Sequence, residues 1–474
     1  MNRRDFLASA AGAAAAALPF PRAIASASPQ LVAAPTTIPL LSAAAPPVQV
    51  WGYNDTSPGP EIRVKAGERV KRQLVNRLPQ PTAIHWHGIR IANAMDGAAG
   101  MTQEPVGLSQ TFDYDFVAPD PGTYWYHSHD RSWEQAARGL HGPLIVEEPE
   151  PWKGADREIV LHLDDWYLMD GQIDAASFGQ LSEWSHGGRM GNTFTANGRV
   201  NEGVPVRAGE RLRLRLINAA NARIMALRLR DHAMTIVAVD GHPVTPREAE
   251  DGYVVLAPAQ RADLVVDMSA DPGTRAPLEL YVGDGMGGGG EPWQPLATFA
   301  YSKEKPLPRR TDAVLALPDT MRHDLDLEGA RKVRLAMDGG AMGTMQQARL
   351  QGRVRSMREL VSMKRVWAFN GSAGDMDEPL FTVERGRTVD LTIQNNSRWP
   401  HAMHLHGHHF KVLARNRGRR PERARHQDWR DTVLSEPMES LRVAFDATNP
   451  GKWLLHCHML EHQAGGMITW FEVT

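Results

Sequence analysis

Short runs of alternating apolar and polar residues, separated by glycine-containing turns, fill most of the chain. Three of them share one signature, at residues 64–69 (V-K-A-G-E-R), 206–211 (V-R-A-G-E-R) and 383–388 (V-E-R-G-R-T). Each signature precedes an alternating run that ends in asparagine. Alternation with period two is typical of strands, and a glycine turn between two such runs indicates a hairpin or a sheet corner. The pattern therefore predicts an all-β protein built from three related domains.

The chain length agrees with three domains. Its 474 residues, less an N-terminal segment, leave enough chain for three hydrophobic cores. We place the boundaries near Glu150 and Pro306, which gives domains at 28–150, 151–305 and 306–474. Residues 303–308 are charged and contain proline, as is typical of a linker.

Composition excludes several classes of protein. Hydrophobic residues make up 42% and charged residues 23%, which is ordinary for a globular protein and unlike a disordered chain. A formal net charge of -2 gives no electrostatic reason to expect binding to nucleic acid or to an anionic membrane. A single cysteine allows neither an intramolecular disulfide nor a four-thiolate metal site. With 19 His and 20 Met beside it, the composition favours soft or borderline metals.

The N-terminus has the features of an export signal. Arg3 and Arg4 precede an alanine-rich run, and residues 23–25 (A-I-A) supply a cleavage site. A membrane anchor is the alternative, but residues 6–20 form a run of only 15, whereas a spanning helix needs about 20. We therefore predict a Tat signal peptide over 1–27, periplasmic localisation and no membrane span after cleavage.

The first and third copies of the repeat carry histidine pairs that the middle copy lacks. In both outer copies an H-x-H motif follows the turn glycine after 18 positions, at His85-Trp86-His87 and at His404-Leu405-His406. The same offset from Gly209 in the middle copy gives Leu227 and Leu229. Each outer copy closes on a second H-x-H motif, His127-Ser128-His129 or His456-Cys457-His458.

The spacing of these pairs indicates metal binding. Residues i and i+2 of a strand point to the same face, so each motif sets two imidazoles side by side. One pair is weak evidence, but four at matching positions in two repeats are not expected by chance. Eight imidazoles converging from two domains could hold three metal ions.

A second set of ligand types surrounds the single thiol. Cys457 lies between His456 and His458, so its side chain should point away from theirs, while His462 and Met467 follow at +5 and +10. With His401, these residues make one thiolate, two imidazoles and an axial thioether, the ligand set of a blue copper electron-transfer site. The alternatives are a buried apolar Cys457 and a core Met467. The tripeptide would give electrons a covalent path between two sites, which an oxidase needs and a hydrolase does not.

With these motifs the chain resembles the three-domain bacterial multicopper oxidases, the laccases and cuprous oxidases. The motifs H-W-H-G, H-S-H, H-x-x-H-L-H-G and H-C-H-x-x-x-H-x-x-x-x-M occur in the family's order. The resemblance covers essentially the whole mature chain. It implies cupredoxin-like Greek-key β-barrel or sandwich domains, four copper ions per chain and O2 as the electron acceptor. It also implies that the first and third domains carry the ligands and the second is a spacer; we expect a monomer.

Carried over residue by residue, the resemblance implies the following roles. Type 1 copper would be held by His401, Cys457, His462 and Met467, type 2 copper by His85 and His404, one type 3 copper by His87, His127 and His458, and the other by His129, His406 and His456. Asp96 lies where the family has an acidic residue that helps to deliver protons to oxygen; a solvated Asp-Gly turn is the alternative.

A second acidic residue of many bacterial relatives is absent here. It would directly follow the last type 1 histidine, where this chain has Gln463, which cannot relay a proton as a carboxyl group can. Either Asp96 acts alone or Glu461 substitutes for the missing group. The alternation expected of a strand argues against Glu461.

Six methionines between residues 337 and 376 bear on the reducing substrate: Met337, Met342, Met345, Met357, Met363 and Met376. Exported cuprous oxidases carry a Met-rich insert at this point, and thioethers favour Cu(I), so Met342 and Met345 are a candidate substrate site. Residues 346–363 have the spacing of an amphipathic helix, which would cover type 1 copper and restrict bulky phenols. The alternative is that these methionines are helix core.

Three further features of the sequence lie outside the proposed ligand set. His408 and His409 are expected at the rim of the site rather than as ligands, and His141 is expected to be structural. Residues 285–290 are glycine-rich but lack the Lys-Ser/Thr of a phosphate loop, which predicts a flexible surface turn.

The leading hypothesis is an oxidase that takes electrons from Cu(I) or a small phenolic or aromatic donor and reduces O2, with a role in periplasmic copper tolerance. The alternatives are a general laccase, a non-catalytic copper-binding or structural cupredoxin protein, a copper nitrite reductase and a zinc hydrolase. The eight paired histidines disfavour a nitrite reductase, and the Cys-Met pair disfavours a zinc hydrolase.

Overall fold

A computed structural model describes residues 29–283, 292–319, 323–418 and 422–474. The predicted Tat signal at 1–27 and the glycine-rich turn at 285–290 lie outside these ranges. No helix within the described ranges is long and apolar enough to cross a membrane.

The first group of strands forms two four-stranded sheets, with orders β2-β1-β4-β6 and β3-β8-β7-β5. Its strands are β1 Gln30–Ile38, β2 Val48–Tyr53, β3 Ile62–Lys65, β4 Arg69–Asn76, β5 Ile84–His87, β6 Thr111–Val117, β7 Gly122–Ser128 and β8 His141–Glu147. A 3-10 turn at Asn93–Met95 and the short helix α1 Ser132–Gln135 connect them.

The middle group forms a six-stranded and a five-stranded sheet, with orders β12-β9-β14-β19-β16-β17 and β13-β21-β20-β15-β18, and β10 pairs with β11. Its strands are β9 Arg157–Trp166, β10 Leu168–Met169, β11 Gln172–Ile173, β12 Thr193–Ala196, β13 Glu202–Val206, β14 Arg211–Asn218, β15 Met225–Leu229, β16 Thr235–Val239, β17 His242–Glu248, β18 Val254–Leu256, β19 Arg261–Asp267, β20 Arg275–Tyr281 and β21 Trp293–Tyr301. Helix α2 is Leu181–Ser185, and 3-10 turns lie at Ala175–Ser177 and Glu250–Gly252.

The last group forms a seven-stranded sheet, β25-β22-β27-β33-β29-β30 with β31 on β29, and a five-stranded sheet, β26-β35-β34-β28-β32. Its strands are β22 Arg331–Gly339, β23 Gln347–Leu350, β24 Arg353–Ser356, β25 Trp367–Phe369, β26 Phe381–Val383, β27 Thr388–Asn395, β28 His401–Leu405, β29 Phe410–Asn416, β30 Glu422–Arg423, β31 Trp429–Arg430, β32 Thr432–Ser435, β33 Ser440–Asp446, β34 Gly451–Cys457 and β35 Ile468–Val473. Helices α3 and α4 are Met357–Ser362 and Leu460–Ala464.

The three glycine turns are sheet corners rather than hairpins. Gly67, Gly209 and Gly386 have nearly the same positive φ, at 85°, 84° and 85°. In each copy the strand before the turn and the strand after it belong to different sheets. A positive φ is the conformation that glycine adopts without a Cβ penalty, which explains why the signature contains it three times.

The asparagine that ends each repeated run has one role in all three copies. Its side-chain amide donates to two backbone carbonyl groups and its side-chain oxygen accepts a hydrogen bond from the backbone N–H two residues later. The three residues are Asn76, Asn218 and Asn395. All are buried, so these bonds satisfy backbone groups that water cannot reach.

Each group of strands encloses its own hydrophobic cluster. In the middle cluster Leu227 and Leu229 are buried at the positions where the outer copies have histidines. These two side chains therefore belong to the hydrophobic core of the middle group of strands.

The helix predicted over residues 346–363 is wrong for most of its length. Strands β23 and β24 form an antiparallel hairpin there, and only the six residues of α3 are helical. Gln351 and Gly352 both have positive φ, at 53° and 67°, which is the backbone of a tight two-residue hairpin turn. Helix α3 begins only after Ser356, whose side chain forms a capping box with Glu359.

Candidate metal centres

Four strands carry the paired histidines, and alternation sorts their side chains. Strand β5 pairs with β7 so that His85 faces His127, and β28 pairs with β34 so that His404 faces His456. The next pair along β28 and β34 is Met403 with Cys457. The imidazoles of His404 and His456 therefore lie on one side of the β28–β34 sheet and the thiol of Cys457 on the other, as the sequence predicted.

The eight paired histidines converge in one buried cluster, and the most exposed of them, His129, has 8% of its surface accessible. Their ligand nitrogens form three groups, with all donor atoms of a group within 4.8 Å of one another. The groups are His85, His87 and His404; His87, His127 and His458; and His129, His406 and His456.

Backbone hydrogen bonds fix the tautomers of His85 and His404. Nδ1 of His85 donates to the carbonyl oxygen of Asp96 at 2.7 Å, and Nδ1 of His404 donates to that of Asp431 at 3.0 Å. Both Nε2 atoms are buried without a hydrogen-bond partner among the described residues. Each side chain therefore offers a free lone pair to the cluster, which suits a metal ion.

Two facing histidine pairs bring ring nitrogens close enough together for one cation to bind both members of a pair. Nε2 of His406 lies 2.9 Å from Nε2 of His456, and Nδ1 of each ring already donates, to Asp96 Oδ2 and to the Cys457 carbonyl. Both Nε2 atoms are therefore unprotonated, and burial holds the pKa of both imidazoles well below the usual range. Nε2 of His127 and His458 face each other at 3.3 Å. In the His406–His456 pair two lone pairs face each other, and a cation between them would remove their repulsion.

Asp96 is part of this cluster and not a solvated turn. Only 2% of its surface is accessible, and its Oδ2 accepts a hydrogen bond from His406 Nδ1 at 2.8 Å. Burial raises the pKa of the Asp96 carboxyl, but His406 and His85 outweigh burial and hold the pKa well below its usual range. The alternative of an exposed Asp-Gly turn is excluded.

A second buried carboxylate, which the sequence did not reveal, lies against the cluster. Oδ1 of Asp431 accepts a hydrogen bond from His87 Nε2 at 3.2 Å, and Nδ1 of His87 has no hydrogen-bond partner in the part of the chain that the structure describes. Burial raises the pKa of Asp431, but Arg261 and the two neighbouring imidazoles, those of His404 and His87, hold it well below the usual range. No repeat or metal-ligand spacing marks either Asp431 or Arg261, so neither could be identified from the sequence pattern.

The thiol lies in the second centre, on the other face of the sheet. Sγ of Cys457 is 3.7 Å from Nδ1 of His401 and 3.8 Å from Nδ1 of His462. The two Nδ1 atoms are 3.0 Å apart. All three residues are completely buried, as is Met467, whose carbonyl accepts the Cys457 N–H.

Hydrogen bonds hold both imidazoles of this centre by their outer nitrogens. Nε2 of His462 donates to the carbonyl oxygen of His186 at 2.7 Å, and Nε2 of His401 lies 2.8 Å from Ser397 Oγ. Both Nδ1 lone pairs therefore point at the thiol. Burial lowers the pKa of His462 to about 4 and raises that of Cys457 to about 12, so a soft cation would have to displace the thiol proton.

Glu461 and Gln463 lie on helix α4, so the strand alternation used to argue against Glu461 does not apply. Oε1 of Glu461 accepts a hydrogen bond from Asn221 Nδ2 at 2.8 Å, and burial raises the pKa of Glu461 to about 7. Gln463 accepts a hydrogen bond from Ser132 Oγ at 3.2 Å. Neither residue belongs to the three histidine groups of the cluster.

The methionines of residues 337–376 do not form one cluster. Met337 is core, Met345, Met357 and Met376 are partly buried against hydrophobic clusters, and Met363 is 40% exposed. Met342 is 72% exposed. It follows Ala341, whose N–H donates to the Ser185 carbonyl. Ser185 directly precedes His186, whose carbonyl accepts the hydrogen bond from His462.

Three histidines outside the proposed ligand set, His141, His408 and His409, are buried and hydrogen-bonded. His408 accepts the N–H of Asn449, and His409 Nε2 donates to the Gly88 carbonyl at 2.6 Å. His141 contacts Asp164 and His162 at 3.0 and 2.8 Å. These contacts agree with the rim and structural positions expected from the sequence.

Comparison with known proteins decides the family. Three sequence models described as multicopper oxidase match residues 157–275, 37–151 and 349–474, which together span most of the chain. The chain belongs to the multicopper oxidase family. It is a three-domain bacterial multicopper oxidase with cupredoxin-like domains, and hence a copper-containing oxidoreductase that uses O2.

Solved structures and curated relatives agree. Lac15 from a marine microbial metagenome is 35% identical, with a TM-score of 0.73 over 94% of this chain and 100% of that one. The multicopper oxidase of Pseudomonas thermotolerans is 31% identical, with a TM-score of 0.76 over 94% and 98%. The multicopper oxidase MmcO of Mycobacterium tuberculosis is 29% identical over 90% of this chain and 83% of its own length.

Proposed function

We propose that this multicopper oxidase couples one-electron oxidation of Cu(I), or of a small phenolic donor, to four-electron reduction of O2 to water. The tripeptide His456-Cys457-His458 carries the proposal. Its thiol lies in the mononuclear centre with His401 and His462, while its two imidazoles lie in the eight-histidine cluster. Three consecutive residues thus join an electron entry site to a site large enough for several metal ions.

The buried, unprotonated nitrogens described above fit copper, and the proposal assigns each donor set to one ion. Type 1 copper would be held by His401, Cys457, His462 and Met467, type 2 by His85 and His404, and the two type 3 ions by His87, His127 and His458 and by His129, His406 and His456. Bound copper supplies the one-electron redox steps and the place where O2 is reduced. This gives four ions per chain, with the middle domain as a spacer.

The cover over His462 supports a small electron donor. His462 has no accessible surface, and its outer nitrogen is hydrogen-bonded to the His186 carbonyl. A donor must therefore deliver electrons through the segment around His186 rather than by touching His462. Met342 lies exposed beside this segment, and with Met345 it offers thioethers that favour Cu(I) over harder metals.

A laccase activity on phenols is the second candidate. His186 is exposed, and its ring packs edge-on against Trp399 with 5.2 Å between centroids. This aromatic surface could take a phenol ring against the residue that bonds to His462. Rates measured on Cu(I) and on a phenol with the same preparation decide between the two donors.

Asp96 is proposed to deliver protons to the cluster. Its carboxylate already contacts His406, and an ionised carboxylate in this position can take up a proton and pass it on. With Gln463 in place of a second acid, Asp96 acts alone in this proposal.

The remaining parts concern the whole chain. The three domains are proposed at 28–150, 151–305 and 306–474, with a Tat signal at 1–27 that directs a monomeric enzyme to the periplasm. Oxidation of Cu(I) there would contribute to copper tolerance.

The visible spectrum of the copper-loaded protein tests the proposal. Charge transfer from thiolate to Cu(II) should make it blue, with about four copper ions per chain. Cys457→Ser should lose both the colour and the oxidase activity because a serine oxygen is a hard, weak ligand for copper. A wild-type enzyme that is active but colourless would overturn the assignment, and a blue, inactive one would favour a non-catalytic copper protein.

A further inference from the structure

One residue of the ligand-free middle domain reaches the histidine cluster. Arg261, at the start of β19, has no accessible surface and forms a two-pronged ion pair with Asp431 of the last domain. Its Nη1 donates to Asp431 Oδ1 at 2.8 Å and its Nη2 to Oδ2 at 2.6 Å. Paired donors of this kind fix a carboxylate in both position and plane.

Asp431 in turn holds one proposed ligand from each outer domain. Its Oδ1 accepts hydrogen bonds from His87 Nε2 at 3.2 Å and from Thr432 Oγ1 at 2.8 Å. Its carbonyl oxygen accepts the Nδ1–H of His404 at 3.0 Å. The orientation of two imidazoles, and the nitrogen that each presents to the cluster, therefore depend on where Asp431 stands.

Arg261 itself is held from two domains. Its Nε donates to the carbonyl oxygen of Thr123 in the first domain at 3.0 Å, and its Nη1 also contacts the Ala259 carbonyl at 3.2 Å. The guanidinium thus has acceptors on the first, middle and last domains. Lysine, with one flexible ammonium group, could not bond to the same set in one plane.

The glycine of the H-W-H-G motif provides a separate observation. Gly88 has φ +83°, and a Cβ built on it would lie 2.4 Å from Arg261 Nη2 and 2.5 Å from Asp431 Oδ2. Any larger residue next to His87 would displace the ion pair. The first-domain motif therefore leaves room for this Arg–Asp pair.

We infer that Arg261 is a positioning residue for the eight-histidine cluster. Through its ion pair with Asp431, the middle domain sets the orientation of His87 and His404. This inference rests on the copper ligands proposed above. It gives the middle domain a role in the cluster beyond that of a spacer.

Arg261→Lys tests the inference because it keeps the positive charge and removes the paired N–H donors that bind both oxygens of Asp431. The copper-loaded enzyme is dialysed against a chelator, and the copper content, the type 2 EPR signal and the blue absorbance are then measured. We expect type 2 copper to be bound about 10- to 100-fold more weakly, the usual effect of losing a partner behind a metal ligand. The blue absorbance should stay unchanged, since Arg261 makes no hydrogen bond to the mononuclear centre in the described structure.

Arg213→Lys is the matched control. Arg213 is equally buried in the same sheet and pairs with Asp263 and Glu148 instead of with a residue of the cluster. It should lower thermal stability to a similar extent and leave the type 2 EPR signal intact. Equal copper loss in the two variants would show a general stability effect and overturn the inference.

Asp431→Asn provides a second arm in case Arg261→Lys does not fold. A neutral amide binds the guanidinium and His87 more weakly, so the same selective loss of type 2 copper is expected. Unchanged type 2 copper in a folded variant of either kind would overturn the inference alone. A wild-type protein without a type 2 signal would instead overturn the proposed copper sites.

Discussion

The two sides of the His456-Cys457-His458 tripeptide have different electrostatic surroundings. On the mononuclear side the two imidazoles are held by neutral oxygens, the Ser397 hydroxyl and the His186 carbonyl. On the cluster side, imidazoles are held by two buried carboxylates, Asp96 and Asp431. Both centres are equally buried, so the difference lies in charge and not in access to water.

This difference matches the chemistry proposed for each side. Passing an electron through a site requires no proton, and neutral partners leave the site's charge to the metal and thiolate. Reducing O2 to water consumes protons, and a carboxylate beside the cluster can take them up and pass them on. Substitutions on the cluster side should therefore slow the O2 half-reaction alone, and substitutions on the mononuclear side should slow only the delivery of electrons.

The largest effect is expected at Asp96. Asp96→Asn keeps the shape and removes the proton carrier, so reoxidation of the reduced enzyme by O2 should slow about 10²–10⁴-fold. Reduction of the blue site, followed in the absence of O2, should keep its wild-type rate. Asp120→Asn is the control, because Asp120 is a buried carboxylate of the same domain that pairs with Arg90. Equal slowing of both half-reactions by Asp96→Asn would contradict the assignment of proton delivery to the cluster side alone.

A smaller effect is expected from the two methionines proposed as the Cu(I) site near the mononuclear centre. Replacing Met342 and Met345 together with Leu keeps volume and removes the thioethers. Cu(I) oxidation should fall about tenfold, equivalent to roughly 1.4 kcal/mol of binding, while the blue band and O2 reduction stay unchanged. Met438→Leu is the control, since Met438 is 59% exposed and lies outside the 337–376 segment.

Phenol oxidation gives the same variant a second measurement. Added Cu(II) should raise the wild-type rate on phenol, because copper held at the methionines can carry electrons from the phenol. The double variant should lose this stimulation. If it oxidises Cu(I) at the wild-type rate, these methionines only pack, and the enzyme is better described as a laccase.

Glu461 sharpens the comparison because it is an acidic group beside the mononuclear centre. Its pKa of about 7 lies above the usual value of 4.5, so the folded chain favours the protonated, neutral form. The stability that this proton contributes is complete below pH 4.5 and is lost as the pH rises through 7. Glu461→Gln should therefore gain thermal stability relative to wild type between pH 5 and 8, by at most about 3 kcal/mol. A difference in melting temperature that does not change with pH would contradict this account.

The smallest effect is expected at Gln463. Gln463→Glu adds a carboxyl group where many bacterial relatives have one, next to the last ligand of the mononuclear centre. It should leave reduction of the blue site unchanged and modestly raise the rate of reoxidation by O2 at neutral pH. A slower reoxidation would contradict the expectation that the new carboxyl group supplies protons.

The strands and paired histidines could be predicted because both depend on local spacing. Period-two alternation placed His456 and Cys457 on opposite faces, and the glycine offset separated the histidine-bearing copies from the copy with Leu227. The helix prediction over residues 346–363 is wrong for a local reason as well. The apolar spacing fits a helix, but Gly352 is a turn signal, and in the structure it lies in the turn of a hairpin.

The partners behind the ligands could not be predicted in the same way. Arg261 meets Asp431 across 170 positions of sequence, and the His186 carbonyl meets His462 across 276. Such contacts depend on how whole domains pack, and a backbone carbonyl has no side-chain identity that could mark it. No sequence motif therefore marks the contact of Arg261 with the last domain.

The pairing of β28 with β34 makes metal content a record of correct folding. Met403 lies opposite Cys457 and His404 opposite His456, so each strand alternates between the two centres. A slip of one residue would turn every side chain of the slipped strand to the opposite face. The thiol would then face the cluster and the imidazoles the mononuclear side, and both centres would lose their ligands together. A misthreaded chain would therefore be colourless and easily told from the native enzyme, even if its hydrophobic core had closed.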